Sequence, residues 1–426
     1  MKNSSYWHET APPFEAAASP GELDRRADVA VIGAGFTGLS AALTLARHGA
    51  SVVVLEAGQV VAEASGRNGG HCNTGMPFDF GAASRRIGHQ QARALYQLYG
   101  QGVDCVERLV TREQIDCDFR RTGKIKLAAR PHHFGKLQAA HRQLHGDIDP
   151  DMVLVGPASI RSEVGSDQFH GGLVWPRSAQ MHMGRFGVGL AHAAARQGAR
   201  IHVHTPVTAL ERASGGRFRL QTPHGRVEAD QVLVAAGTCQ RGPFGYFRRR
   251  IIPVGSFLIA TEPLSPELAA SVMPGNRNAT TTLNVGNYFR MTPERRLLFG
   301  GRARFALSSP DSDAKSGAIL QRTLHKVFPQ LHGVDIDYCW GGVLDMTIDR
   351  LPRAGSAGGL HYAMGYSGSG AQLATLMGDA MAQTIAGNPA ANPLRDLRWR
   401  CVPGHFGPPW FLPFVGAYYR ALDFFD

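Results

Sequence analysis

Three glycines in GAGFTG, Gly33, Gly35 and Gly38, precede an acid, Glu56, that lies 18 residues after the last of them. Gly33 permits a tight turn, Gly35 lets backbone approach a pyrophosphate, and Gly38 lets a helix pack on a strand. Ala34, Phe36, Thr37 and the neighbour of the acid, Ala57, fall on the same predicted contact surface. The chemistry of this pattern is dinucleotide binding: phosphates rest on a helix N-terminus and ribose hydroxyls on the carboxylate. An acid at that place disfavours a 2′-phosphate, which leaves FAD or NAD.

Three further stretches carry unusual spacing. SGRNGGHCNTG clusters glycines around Ser65, Gly66, Arg67, Asn68, Gly69 and Gly70, followed by His71. Such a cluster suggests backbone pressed against something flat or held in special dihedrals. VLVAAGT, from Val232 to Thr238, ends a strand on small residues, Ala236 and Gly237, that fit a wall against a long dinucleotide. Val207, just after a preceding strand, is placed to offer backbone atoms to the adenine. Standing alone, VLVAAGT is better read as an ordinary buried strand with a glycine stop; it points to the dinucleotide only in company with the other motifs. GYSGSG, comprising Gly365, Tyr366, Ser367, Gly368, Ser369 and Gly370, opens an amphipathic helix. Its N-terminus carries about half a positive charge and would stabilise negative charge on a ring. A capped surface helix would account for the helix but not for the three glycines.

The elements that must position these residues follow from periodicity. Residues 27–58 read as strand, glycine turn, helix and strand, a complete βαβ unit. A mostly helical segment runs from Ala82 to Glu113, and strand-rich regions surround GKIKLA and GGLVWP. A second helix–strand unit begins at Arg185. Strand alternation then marks Ile251–Leu264 and the hairpin NYFRM/RLLFGGR, with no crossover helix between them. The pattern predicts a nucleotide domain from segments 27–115, 176–247 and 336–392. A substrate domain of antiparallel strands is interleaved at 116–175 and 248–335, and an aromatic extension closes the chain at 393–426.

Composition bounds the function classes. At 426 residues the chain holds roughly two or three domains. The net charge of +11 is spread over scattered arginines with only one short run, Arg248–Arg250, so no basic stripe for nucleic acid is present. Six cysteines form no CxxC pair, which suits reduced thiols in a cytoplasmic protein. No apolar run is long enough for an integral membrane segment. The pairs His141/His145, His132/His133 and His202/His204 lack a third ligand at metal-like spacing, so no metal is expected. Ser367 and Ser369 do not form a nucleophile elbow.

Together, DVAVIGAGFTGLS, ASGRNGG, WGGVLDMTIDRLPRAG and GYSGSG resemble the D-amino-acid-oxidase-like FAD oxidoreductases. Within them the chain looks like the gamma-glutamylputrescine oxidase branch, including its opening SYW…TAPPF. The resemblance implies an α/β + β architecture: a Rossmann-type FAD-binding domain (GR2/DAO-like) with an interleaved antiparallel-sheet substrate domain. It implies FAD as cofactor, with Ser65–Gly70 along the pyrophosphate and isoalloxazine and with Arg67 and Asn68 as polar contacts. Alternatively, Arg67 only caps a turn. Relatives that attach flavin through a histidine use a different motif from that around His71, and Cys401 sits in no attachment motif, so non-covalent FAD is expected.

The implied substrate is a small-molecule amine, with oxygen or a quinone as electron acceptor. Hydride leaves the carbon beside nitrogen only from the neutral amine, and a desolvated pocket lowers the amine pKa without a dedicated base. The imine formed would hydrolyse to an aldehyde. Tyr288, Arg290, Arg302, Tyr366 and His71 are the substrate-side candidates, with Arg290 suited to a bidentate grip on a carboxylate. The rival reading is an amino-acid oxidase or dehydrogenase of D-amino acid, glycine or sarcosine type; a tRNA-acting flavoprotein and membrane attachment through the aromatic tail are more distant. In that tail, Trp410, Phe411 and Phe414 are expected to dock on the chain's own surface. Sarcosine-oxidase-like relatives promote oxygen reaction with a lysine. No lysine occurs here between Lys136 and Lys315, and the oligomeric state is open.

Overall fold

Parallel strands covered on both faces read as unbroken apolar runs, and VAVI and VVVL are such runs. In the computed structural model, which describes residues 1–18, 23–213, 215–301 and 305–426, they form Arg26–Ile32 and Val52–Leu55 at the centre of a sheet. The strand order is Arg353–Ala357, Leu360–Met364, Gly225–Val234, Arg26–Ile32, Val52–Leu55 and Arg200–His202. All neighbours are parallel except the first pair. Helices Phe36–Arg47 and Gly370–Ile385 pack together on one face, burying Leu39, Leu43, Leu373, Met377 and Met381. The predicted helix from Ala82 is two, Phe80–Ile87 and His89–Glu113, broken at Gly88 with φ +86°.

A second sheet has eight strands, in the order Ile336–Met346, Ile252–Thr261, Leu297–Gly301, Asn287–Met291, Asn278–Thr281, Lys124–Leu127, Gly172–Trp175 and Val153–Val155. It departs from a purely antiparallel sheet at one place: Asn278–Thr281 runs parallel to Lys124–Leu127. The strand Ile336–Met346, read from sequence with the nucleotide part, pairs along Ile252–Thr261 in this sheet. A short helix, Pro266–Val272, capped by Ser265, interrupts the stretch expected to lack one.

Side-chain alternation gives this sheet two different faces. Phe257, Ile259, Phe289, Phe299 and Ile125 point to a core shared with Leu320 and Leu324 of helix Pro310–Val327. Tyr288, Lys124, Lys126 and Trp175 alternate to the opposite face, which looks toward the nucleotide-type sheet. No helix among the described residues is long and apolar enough to cross a membrane.

Candidate active site

One cavity of about 1740 Å³ joins the C-terminal ends of the parallel strands to the open face of the second sheet. That is more than the roughly 300–1,000 Å³ of a usual small-ligand pocket. At one end Glu56 closes the strand Val52–Leu55. Its Oε2 accepts from the Ala34 N–H at 2.7 Å and its Oε1 from the Gly58 N–H at 2.7 Å, and burial pushes its pKa up. The carboxylate retains acceptor capacity for a ribose hydroxyl. Gly33, Gly35, Phe36, Thr37, Ala57, Val207, Ala236 and Gly237 line the same cavity.

Two helices, Phe36–Arg47 and Gly370–Ile385, start at this cavity. Neither has a side-chain N-cap hydrogen bond or an acid in its first turn. Ser367, Gly368, Ser369 and Gly370 line it at the start of the second helix. Ser65 Oγ does accept from the Phe36 N–H at 3.2 Å, but the helix N-termini still attract negative charge. The backbone between Gly365 and Ser367 is fixed by Asp345, a residue not singled out from sequence. Asp345 Oδ2 accepts from the Gly365 N–H at 2.6 Å, and its own carbonyl accepts from the Ser367 N–H at 3.1 Å. Burial pushes Asp345 up to about 6.

The glycine cluster is answered by what lies beneath it. A Cβ on Gly69 would stand 2.7 Å from Cε2 of Tyr288, and one on Gly70 2.7 Å from Nε of Arg290. The loop thus runs along the strand Asn287–Met291, with one glycine over each outward side chain. From behind, the loop carbonyls are pinned: Ser5 Oγ donates to Gly66, Trp7 Nε1 to Asn68 at 2.6 Å, and Trp340 Nε1 to Arg67 at 3.0 Å. Trp7 and Trp340 are both buried.

The predicted polar contacts are largely spent within the protein. Asn68 Nδ2 donates to the Ala64 and Ser65 carbonyls, and its Oδ1 accepts from the Gly70 N–H. Arg67 donates to the Ala62 and Gly341 carbonyls. Both still line the cavity, as do Ser65 and Gly69. Ala34, Gly38, Gly66, Gly70 and Gly365 sit behind it instead: Gly38 backs on the Gly33 carbonyl, Gly66 on Val61 and His8, and Gly365 on Thr347.

Arg290 is a correction. It is buried under Gly70, donates to Gln180 Oε1 at 2.8 Å and to the Met181 carbonyl at 3.1 Å, and does not line the large cavity. It is not placed to grip a substrate. Tyr288 Oη lies 2.9 Å from Ser256 Oγ, and Tyr366 Oη 2.8 Å from Thr37 Oγ1; burial pushes the Tyr366 phenol far up. His71 meets the Tyr288 ring edge-on at 5.7 Å between centroids, and its buried Nε2 has no protein partner. Burial, then Arg290 and Lys124, pushes His71 down to about 3, so its imidazole is neutral. Arg302 lies outside the described residues.

Sequence reasoning passed over Lys124 and Lys126, which line the cavity beyond Tyr288. The signal was the alternation in GKIKLA. Cys401 does not line the cavity, and all six cysteines are free. At the tail, Phe411 and Leu412 pack on the protein, but Trp410 and Phe414 are 65% and 71% exposed, contrary to their expected docking. Folding brings Asp426 to His132 and His133, a grouping that spacing did not show, and Lys136 Nζ pairs with the same carboxylate at 2.8 Å.

The profile of the family described as FAD dependent oxidoreductase, DAO, matches residues 28–384. The chain belongs to the DAO family of FAD-dependent oxidoreductases. It is 33% identical over 368 residues to "Probable oxidoreductase OrdL" of Haemophilus influenzae, covering 85% of this chain and 83% of that one. It is 33% identical over 364 residues to "Gamma-glutamylputrescine oxidoreductase" of Escherichia coli, covering 85% and 84%. Its fold is that of glycine oxidase from Geobacillus kaustophilus, with a TM-score of 0.70 at 21% identity over 90% of this chain and 99% of that one. FAD is therefore the cofactor. The residues present fit it: a buried acid at the end of the second parallel strand, two helix N-termini and an orphan imidazole nitrogen face one cavity.

Proposed function

We propose that this flavoprotein oxidises the C–N bond of a primary or secondary amine, of the γ-glutamylated diamine type, to an imine that hydrolyses to an aldehyde and an amine. Bound FAD, held non-covalently, supplies the hydride acceptor at N5, and oxygen or a quinone takes the electrons onward. Glu56 would hold the ribose, the turn from Gly33 to Thr37 the pyrophosphate, and the turn from Ser367 to Gly370 the pyrimidine side of the ring.

The observation that carries the amine reading is the neutral character of the wall next to the glycine loop. His71 is uncharged there, Tyr288 presents a ring and a phenol engaged with Ser256, and Arg290 is sealed beneath Gly70. A neutral, desolvated wall favours the free amine over the ammonium, and only the free amine has a lone pair to drive hydride loss. Among the described residues, Arg290, the candidate for gripping an α-carboxylate, is not placed to do so.

Anaerobic mixing with a panel of amines and amino acids tests this. Bleaching of the flavin absorbance by amines lacking an α-carboxylate is expected. Bleaching by α-amino acids alone would replace the reading with its rival. Readmitting air, then a quinone, identifies the acceptor by the rate at which the colour returns.

A further inference from the structure

Lys124 and Lys126 occupy alternate positions on one strand and point to the cavity, while Ile125 between them enters the opposite core. Lys124 is 8% exposed. Its Nζ donates to the Thr74 carbonyl and lies 4.2 Å from the centroid of Trp175, whose Nε1 donates to Tyr96 Oη at 2.8 Å. Among the described residues neither lysine has a carboxylate at ion-pair distance. Asp149, bonded to Tyr96, and Asp79, at the cap of helix Phe80–Ile87, are the acids that face them. Two neighbouring ammonium groups on one wall of a cavity repel each other. Both are lowered, chiefly by burial, Lys124 to about 7. Burying two lysines on one wall with no carboxylate at ion-pair distance is costly unless an anion arrives.

Register fixes where that anion would sit. Tyr288 pairs with Thr280, and Thr280 with Lys126, in a single row across three strands. Strands lie about 4.8 Å apart, so Lys126 stands roughly 10 Å from Tyr288 on the same face. An extended chain covers that distance in about nine covalent bonds, since one residue of three bonds spans ~3.3–3.6 Å.

We propose that Lys124 and Lys126 form an anion pocket for a carboxylate at the far end of the substrate, about nine bonds from the carbon that is oxidised beside Tyr288. This rests on the amine reading and narrows it. A γ-glutamyl diamine has that separation between its terminal aminomethyl carbon and its α-carboxyl carbon, and Asp79 is placed at the same end of the cavity for its α-ammonium.

The test compares γ-glutamylputrescine with its decarboxylated counterpart, 4-aminobutyryl-putrescine, in the wild-type holoenzyme and in Lys126→Met and Lys126→Arg. A charge-assisted contact predicts a wild-type kcat/KM preference of about tenfold to a hundredfold for the carboxylate. In Lys126→Met that preference falls toward parity through KM, and Lys126→Arg restores part of it. Calorimetry with γ-glutamyl-butylamide, which keeps the carboxylate and the α-amine but lacks the terminal aminomethyl group, should show binding that Lys126→Met loses. Equal wild-type activity on the two amines, or an equal loss on both in Lys126→Met, overturns the anion pocket while the amine reading stands. If neither amine bleaches the flavin, the amine reading falls and the pocket falls with it.

Discussion

The ring of Tyr288 fills the space where Gly69 lacks a side chain, with Cε2 2.7 Å from the position a Cβ would take. The ring cannot simply tilt away, because its hydroxyl is 2.9 Å from Ser256 Oγ and His71 packs against it. Gly69→Ala should therefore act as overpacking and cost about 1–3 kcal/mol in thermal or urea unfolding of the holoprotein. In a Tyr288→Ala background the same substitution should cost less than about 0.5 kcal/mol, because the clash is gone. Equal costs in the two backgrounds would show that the loop does not rest on Tyr288.

Asp345 makes a pH prediction. Its folded value, about 6, lies above the ordinary 3.8, chiefly through burial. The folded protein therefore holds this proton to higher pH than the unfolded chain. Stability from this group is complete below 3.8 and is lost as pH rises through about 6, amounting to at most about 3 kcal/mol. Asp345→Asn keeps an oxygen for the Gly365 N–H but carries no charge. The apoprotein variant should melt above wild type at pH 7–8, and the gap should close near pH 4. A gap that does not change with pH would refute the assignment.

The nucleotide end of the site was legible because its chemistry is local. The GAGFTG turn and Glu56 belong to one βαβ unit, so spacing alone brings them together. Alternation also put Tyr288 and Arg290 on one face, which holds. It did not show that Gly70 roofs the arginine, since that depends on a loop more than 200 residues earlier. Lys124 and Lys126 were visible as one face of GKIKLA but not as residues of the site, for a similar reason. Their strand pairs in parallel with Asn278–Thr281, a contact between distant segments with no local signature. The glycines of SGRNGG were read as flavin contacts, but Gly70 answers to Arg290 and only Gly69 also faces the cavity.

Glu56 holds the Ala34 and Gly58 N–H groups with separate oxygens. Glu56→Gln can satisfy only one of them and turns an NH2 group toward the other. Loss of a charged acceptor at a cofactor's hydroxyls costs about 1.5–3 kcal/mol, so FAD should dissociate about tenfold to a hundredfold more readily. Flavin fluorescence during titration of apoprotein reads this directly. An unchanged dissociation constant would remove Glu56 from the ribose position.

Lys124 sets function against stability. Its folded value near 7 lies below the ordinary 10.5, chiefly through burial and then through Lys126. The unfolded chain keeps the proton up to about 10.5 while the folded protein releases it near 7. The penalty on folding is thus complete below pH 7 and fades as pH rises toward 10.5, at most about 5 kcal/mol. Lys124→Met retains the apolar stem against Trp175 and removes the charge. Without substrate it should melt higher than wild type at pH 6–7, with the advantage shrinking by pH 9–10. A variant less stable than wild type at pH 6 would mean that the contacts to Thr74 and Trp175 outweigh the buried charge, and that Lys124 is held for structure.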